Sequence, residues 1–227
     1  MSDFTTKGSH FPKSILLQAV FWYLRYPLSY RDIEELMAER GVNVDHSTVQ
    51  RWVEKYTPFL ESELRKRTKP VGLSWRMDET YIRVKGEWCY LYRAVDKESN
   101  TIDFLLTKKR DKKAAKKFFI KAITNNCRPT KINIDKSGSN RSAIQFCNKG
   151  NQATIEIRQV KYLNNIIEQD HRSIKCMTKG MLGFKSFKSA SITLNGIEMV
   201  RMIKKGQIRS VNQSAQTPAE IFYSLAT

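Results

Sequence analysis

Closely spaced cysteines and histidines are missing from this 227-residue sequence. Its four cysteines form no close pairs, and its three histidines are too scattered to complete a zinc cluster. A disulfide framework and a structural zinc site are therefore excluded as organising features. We expect ordinary reduced thiols in a cytoplasmic protein.

Long apolar segments are also missing. No run reaches the roughly 18 residues that a membrane span needs, and the first residues lack the layout of a signal peptide. The sequence predicts no association with a membrane.

Acidic side chains are scarcer than basic ones. The chain holds 40 Lys and Arg against 22 Asp and Glu, a net charge of +18. Residues 1–70 hold 11 basic and 9 acidic side chains, so nearly all of the excess lies in residues 71–227. A basic chain favours a polyanionic partner, because neutralising phosphates releases counterions. A basic protein without a nucleic-acid role remains the alternative.

Three helices are predicted in residues 1–60. Residues 11–26 form a largely apolar stretch, and Ser29 can cap a second helix that ends near Gly41. A third helix starts in DHSTVQRWVEKY, where Ser47 and Gln50 have the spacing of a capping box. Its predicted inward stripe is Val49, Trp52, Val53 and Tyr56.

This order of helices is typical of a helix-turn-helix DNA-binding domain. The second helix of such a motif can enter a major groove, where Gln and Arg side chains can read base edges. A three-helix bundle without groove contacts is the alternative. The candidate DNA-binding residues on the outer face are His46, Thr48, Gln50, Arg51 and Lys55.

The pattern changes after a polar, basic segment at 61–74, which is broken by proline and glycine and is predicted to be a linker. Residues 75–227 begin with three runs rich in aromatic and β-branched residues, which predict an antiparallel meander. Helical and strand-like segments then alternate. The prediction is an α/β domain with a mixed sheet flanked by helices, preceded by the small all-α domain.

Three acids are placed where they can meet. Asp78 lies in the first predicted strand, Asp135 follows the short strand KINID, and Glu168 lies on a later helix. Cutting a phosphodiester with two divalent metals requires carboxylates from several elements.

Other acids compete with these three. Strand alternation sends Glu79 to the face opposite Asp78, and Asp170 lies nearly opposite Glu168 on its helix. Asp96 and Asp103 flank a hairpin turn and are expected to be solvated. Spacing alone leaves the choice open.

A family resemblance favours one choice. The segments WRMDETYIRVKGEWCYLYRAVD and QVKYLNNIIEQDHRSIK resemble the transposases of small bacterial insertion sequences, more narrowly the single-gene group that forms cointegrates. The N-terminal helices and MLGFKSFKSA are similar to the same group, so the resemblance covers nearly the whole chain. It implies a ribonuclease H-like, integrase-like catalytic core behind a helix-turn-helix domain.

The resemblance also implies site residues and partners. Asp78, Asp135 and Glu168 would be the catalytic acids and would hold two Mg²⁺ ions, with Mn²⁺ as a substitute. Lys175, seven positions after Glu168, would contact DNA, with Arg172 as a weaker candidate. The partners would be double-stranded DNA, namely terminal inverted repeats and target, and at least one further copy of the chain. The enzyme would act in the bacterial cytoplasm, at the nucleoid.

Three alternatives remain at this stage. The first is a helix-turn-helix regulator without catalysis, and the second is a ribonuclease H-like nuclease that cleaves without joining. The third is an inactive transposase remnant, which the unfamiliar segment after Asp135 would fit.

Overall fold

The computed structural model describes residues 10–150, 153–209 and 216–226. Described residues of the segments 1–69 and 176–227 form one compact unit, which we call the split unit, and residues 70–175 form the central unit. Within the described residues, no helix combines the length and hydropathy that crossing a membrane requires. In chain order the elements are α1 Lys13–Arg25, α2 Tyr30–Ala38, α3 His46–Lys66, β1 Ser74–Val84, β2 Glu87–Val95, β3 Thr101–Thr107, α4 Lys112–Asn125, β4 Lys131–Asn133, α5 Gly138–Asn148, β5 Glu156–Arg158, α6 Asn165–Gly180, α7 Phe187–Lys204 and α8 Pro218–Ser224.

Side-chain caps fix where the helices of the split unit begin. Ser29 caps α2 in a capping box with Asp32, as the sequence predicts for Ser29. Helix α3 begins differently from the prediction. Its cap is Asp45, whose carboxylate accepts hydrogen bonds from the backbone N–H groups of Ser47 and Thr48. The predicted capping box at Ser47 is therefore wrong, because an equally good acceptor stands two residues earlier.

Helix α3 extends through Lys66, so six residues of the predicted linker are helical. The inward stripe predicted for this helix is confirmed, since all four of its side chains are buried.

Helix α7 packs against α1 and α3 inside the split unit. Gly196 marks the closest approach, because a Cβ atom there would lie 2.5 Å from a methyl of Leu24 and 2.9 Å from Thr57. The compact units thus group α7 with the N-terminal helices, whereas the predicted division placed residues 75–227 together. That division into functional domains stays a prediction.

The central unit contains one five-stranded sheet in the order β3-β2-β1-β4-β5. Strands β1, β2 and β3 pair antiparallel, as the predicted meander requires, and β4 and β5 add in parallel. A two-residue turn joins β1 to β2, and both Lys85 and Gly86 have positive φ angles, which suit such a hairpin. This topology confirms the predicted ribonuclease H-like mixed sheet flanked by helices.

Helices α4 and α5 cover one face of the sheet. Trp75 and Met77 of β1 pack in the same buried cluster as Phe118 and Phe119 of α4 and Ile144 of α5. Burying each aromatic ring of this size contributes about 1.5–3 kcal/mol. The cluster fixes the end of β1 that leads to Asp78.

Asp96 and Asp103 correct an expectation. Both were expected to be solvated, yet their exposed fractions are 1% and 0%. Asp96 accepts hydrogen bonds from the backbone of Gly72, while Asp103 pairs with Lys121 at 2.8 Å. Turn position alone did not reveal that these carboxylates organise the backbone around them.

Candidate active site

Asp78 and Asp135 come from neighbouring parallel strands. Arg76 of β1 stands level with Asn133 of β4, and each acid follows two residues later. Because the two strands run in the same direction, Asp135 leaves the carboxyl end of β4 beside Asp78, which lies in the middle of the longer β1. The structure therefore brings together two of the three predicted catalytic acids.

Glu79 joins them, although the sequence argument had set it aside. One carboxylate oxygen from each of Asp78, Glu79 and Asp135 lies within 4.8 Å of the others. Strand alternation determines where a side chain leaves the backbone, but a glutamate is long enough to reach around the end of a short neighbouring strand. The expectation that Glu79 stands apart from the site is wrong.

Two donors hold Glu79 and Asp135 together. The guanidinium of Arg110 lies 3.2 Å from Glu79 and 2.9 Å from Asp135. The Asn140 side-chain amide donates to Glu79 at 3.1 Å and to Asp135 at 3.3 Å. Burial lowers the pKa of Arg110, but Glu79 and Asp135 outweigh it and raise that pKa above its ordinary value. Neither donor was found from the sequence, where Arg110 is one cation in a basic run.

The pKa of Asp78 shows how crowded the negative charge is. Burial, with smaller contributions from the neighbouring carboxylates of Glu79, Asp135 and Glu168, raises the pKa of Asp78 to about 7, although a backbone hydrogen bond from Glu79 lowers it. Glu168 therefore lies close enough to act on Asp78. It is not one of the three acids grouped within 4.8 Å.

Glu168 lies in the first turn of α6, where the helix dipole favours a negative side chain. The other side of α6 faces the sheet. Its buried Asp170 forms an ion pair with the buried Arg93 of β2, and His171 Nδ1 lies 3.7 Å from Asp78. These contacts fix the rotation of α6, so the exposed Glu168 projects away from the buried side.

A buried asparagine links β4 to the start of α6. The side chain of Asn133 donates to the Val160 carbonyl and to Asn164, and it accepts from the Val160 N–H. Since Asn133 precedes Asp135 by two residues, this bonding sets the position of the α6 entrance relative to Asp135.

Arg172 and Lys175 are exposed on α6, four and seven residues after Glu168. This spacing places all three on one side of the helix. The structure thus fits the predicted neighbourhood of Lys175 and Glu168, while the DNA contacts stay a prediction.

The five candidate DNA-binding residues lie in the first three turns of α3, in the split unit. Four of them take part in local hydrogen bonds or ion pairs. His46 pairs with Glu34 at 2.9 Å, Gln50 donates to Glu54, and Arg51 donates to Thr48. His46 and Gln50 also line a cavity of about 270 Å³ within this unit.

The donor set suits a hard divalent cation. The clustered ligand atoms are all carboxylate oxygens, which Mg²⁺ and Mn²⁺ prefer, and no cysteine belongs to the cluster. Several carboxylates in one place also repel one another, so a cation between them would relieve that repulsion. The residues present therefore fit the divalent metal that an integrase-like core implies.

Comparisons with known proteins agree with this chemistry. The chain matches a family model described as a DDE domain over residues 72–207, and one described as the Transposase IS66 family over residues 8–127. It is 42% identical over 219 residues to the transposase for insertion sequence-like element IS431mec of Staphylococcus aureus (strain N315), covering 96% of each chain.

One further relative and one solved structure are also similar to the chain. The transposase for insertion sequence element IS257 in transposon Tn4003 of Staphylococcus aureus is also 42% identical over 96% of each chain. Among solved structures, the HTLV-2 integrase catalytic core domain in complex with magnesium (dimeric form) is 18% identical. It has a TM-score of 0.47, with 68% of this chain and 97% of that chain covered. The family match and the near full-length relatives establish that the chain belongs to the DDE transposases of insertion sequences.

Proposed function

We propose that this transposase binds the terminal inverted repeats of its own insertion sequence, frees the 3′ ends and joins them to target DNA, with Asp78, Asp135 and Glu168 as its catalytic acids. The observation that carries the proposal is the convergence of acids from the middle of β1 and the end of β4, with Glu168 electrostatically coupled to Asp78.

The side chains have distinct parts in this proposal. Asp78 and Asp135 hold metal from the sheet, and Glu168 approaches from α6. Two Mg²⁺ ions bound there would stabilise charge on the attacking and leaving oxygens of a phosphodiester. Glu79 and Arg110 orient Asp135 from the other side through the contacts described above. The nucleophiles are water and then the freed 3′-OH, so no serine or tyrosine nucleophile is assigned.

Sequence recognition is assigned to the start of α3. Gln50→Ala or Arg51→Ala should weaken binding to the terminal repeat by about 1–3 kcal/mol if the side chain contacts a base. Each would exchange its present local partner, Glu54 or Thr48, for DNA. Binding to repeat and random duplexes is measured by fluorescence anisotropy. Equal losses on the two duplexes would refute base recognition by that residue.

Lys175 is assigned to the DNA backbone beside the acids. Lys175→Ala should reduce strand transfer and flatten the salt dependence of binding by about one phosphate contact. The measurement is the slope of log affinity against log salt concentration. An unchanged slope together with an unchanged joining rate would remove Lys175 from the interface.

Two transposon ends react together, so the proposal includes at least a dimer of the chain on DNA. It also places the protein in the bacterial cytoplasm, at the nucleoid. Sedimentation of the protein with and without paired-end DNA tests the dimer.

The decisive experiment is a joining assay. Labelled DNA carrying the terminal repeat is incubated with a target plasmid, in Mg²⁺ or in EDTA, with wild type, Asp135→Ala and Glu156→Ala. Glu156 is an exposed acid on β5 and serves as the matched control. Metal-dependent joining by wild type and the control, lost in Asp135→Ala, is the expected result.

Other products would favour the alternatives. Cleavage without joining would indicate a nuclease. Tight repeat binding without chemistry, also on a longer paired-end substrate, would indicate a regulator or an inactive copy.

A further inference from the structure

An exposed row of aromatic rings lies on the β1–β2 hairpin of the central unit. Tyr81 and Trp88 are 51% and 58% exposed, unusually high values for such large apolar side chains. Tyr90 is half-buried beside them. The centroid of the Tyr81 ring lies 6.0 Å from the centroid of the Trp88 ring and 5.3 Å from that of the Tyr90 ring.

The opposite face of the hairpin shows that this exposure is selective. Ile82, Val84 and Cys89 point the other way and are 3–5% exposed. The hairpin therefore has one buried face and one face on which Tyr81 and Trp88 are uncovered. Tyr90 packs at the edge of the core cluster, so core packing accounts for part of Tyr90 but not for Tyr81 and Trp88.

The strand register connects the rings to the acids. Tyr81 pairs with Tyr90, and Arg83 pairs with Trp88. Glu79 stands two residues before Tyr81 and so begins on the same face, about 7 Å away along the strand. The aromatic row is thus a continuation of the surface that carries Glu79.

Cations surround the row. The guanidinium of Arg83 lies 5.8 Å from the centre of the Trp88 ring, and Lys85 occupies the hairpin turn. Beyond β3, the exposed residues 109 and 110 add a lysine and an arginine close to the same hairpin, because Tyr90 pairs with Thr107. In the hairpin itself, Glu87 is the acid among residues 81–90.

We propose that this aromatic row, Tyr81, Trp88 and Tyr90, binds unpaired DNA bases by stacking and holds a frayed strand beside Glu79 of the acid cluster. Aromatic rings interleaved with cations are the features that bind single strands without sequence preference. Bases inside a duplex hide their faces from such rings. A second copy of the chain is a poorer occupant, because two rims of the same positive charge would repel each other and interface centres are depleted in charge.

The proposal rests on the proposed function only in taking the polymer to be DNA. It is therefore tested by binding in EDTA, where no cleavage occurs. The probes are fluorescein-labelled dT20 and a 20-base-pair duplex, each titrated with full-length protein. Trp88→Ala should weaken dT20 binding about 5- to 150-fold and leave duplex binding within about twofold. Trp88→Phe should retain most of the dT20 affinity.

The matched control is Phe146→Ala, which removes another exposed ring from the central unit, on α5. It should leave binding to both probes unchanged. Equal losses on both probes with Trp88→Ala, or no loss on either, would overturn the proposal. So would a change from dimer to monomer in Trp88→Ala with dT20 affinity intact, which would assign the rings to a contact between copies.

The outcomes separate this proposal from the proposed function. A selective loss of dT20 binding in a protein that fails to join DNA would uphold the aromatic site and reject the transposition chemistry. Normal joining, together with dT20 binding that Trp88→Ala does not change, would uphold the transposition chemistry and reject the aromatic site.

Discussion

Asp96 and Asp103 lie in the same unit as Asp78 and Asp135, and the two pairs of acids differ in what surrounds them. Asp96 accepts four hydrogen bonds, from the backbone of residues 72, 98 and 100 and from the Asn100 side chain. Asp103 receives bonds from Lys121, Asn125 and the Phe104 backbone. Each buried charge has its donors, and each stabilises the fold.

The proposed catalytic acids are crowded by other carboxylates instead. Asp78 has Glu79, Asp135 and Glu168 as charged neighbours that raise its pKa. Their shared compensating cation is Arg110, which contacts Glu79 and Asp135. The difference teaches that burial alone does not distinguish a candidate catalytic acid from an acid that stabilises the fold. A deficit of positive charge around clustered acids does distinguish it. Four experiments test this contrast.

The buried pair beneath α6 should give the largest effect. Asp170→Ala deprives the buried Arg93 of its carboxylate and should lower the free energy of unfolding by about 3–5 kcal/mol. Urea denaturation measures it, with Gln169→Ala, an exposed neighbour, as control. Replacing both partners with apolar residues, Arg93→Met and Asp170→Leu, should recover most of the loss. A loss no larger than that of Gln169→Ala would show that the pair does not hold α6.

Removing the charge of Asp78 should have the opposite effect and raise the free energy of unfolding. Burial raises the pKa of Asp78 from its ordinary value of 3.8 to about 7, so between these pH values the folded protein holds a proton that the unfolded chain releases. Stability in EDTA should therefore fall as pH rises from about 4 to 7. Asp78→Asn should remove this fall and stabilise the protein at pH 8 by up to about 4 kcal/mol. Parallel urea midpoints for wild type and variant between pH 4 and 8 would contradict it.

Asp103→Asn should destabilise the fold moderately. The substitution removes the charge that Lys121 and Asn125 satisfy, at a cost of about 1.5–3 kcal/mol. Urea denaturation at pH 7 measures the change. Glu98→Gln alters an exposed acid of the same hairpin and should change stability by less than about 0.5 kcal/mol. Equal losses of stability in the two variants would show that the Asp103 carboxylate does not stabilise the fold.

Adding metal should give the smallest effect. With 5 mM Mg²⁺ and a dissociation constant near 1 mM, the wild type should gain about 1 kcal/mol, because only the folded chain presents the site. Asp135→Ala should lose this gain, and Asp103→Asn should keep it. The measurement is the thermal midpoint with Mg²⁺ against EDTA. The same gain in Asp135→Ala would place metal binding elsewhere.

Much of the fold could be predicted, because local patterns determined it. The alternation in β1 to β3, the helical spacing in α4 and the inward side of α3 are properties of short segments. The position of Asp135 after a short buried strand could be predicted for the same reason. Choosing Asp78, Asp135 and Glu168 among rival acids needed the family resemblance, and their catalytic roles stay a prediction.

What was missed depends on contacts between distant residues. The reach of Glu79 toward Asp135 and the bridging by Arg110 depend on the parallel pairing of β1 with β4, which no local pattern reveals. Asp103 is buried because α4 returns Lys121 to it across 18 residues. The prediction of the α3 cap was wrong for a simpler reason. Asp45 and Ser47 are both good capping residues, and the sequence does not rank them.

The interrupted chain path of the split unit has a consequence for protein synthesis. Backbone bonds join residue 69 to 207 and residue 209 to 67, so this unit closes only after the whole central unit has been made. A ribosome exposes α1 and α3 long before α7, whose Gly196 fits against Leu24 and Thr57. A prematurely terminated chain that lacks α7 would leave those apolar surfaces uncovered. We therefore expect a nonsense mutation before α7 to behave as a simple loss of the enzyme.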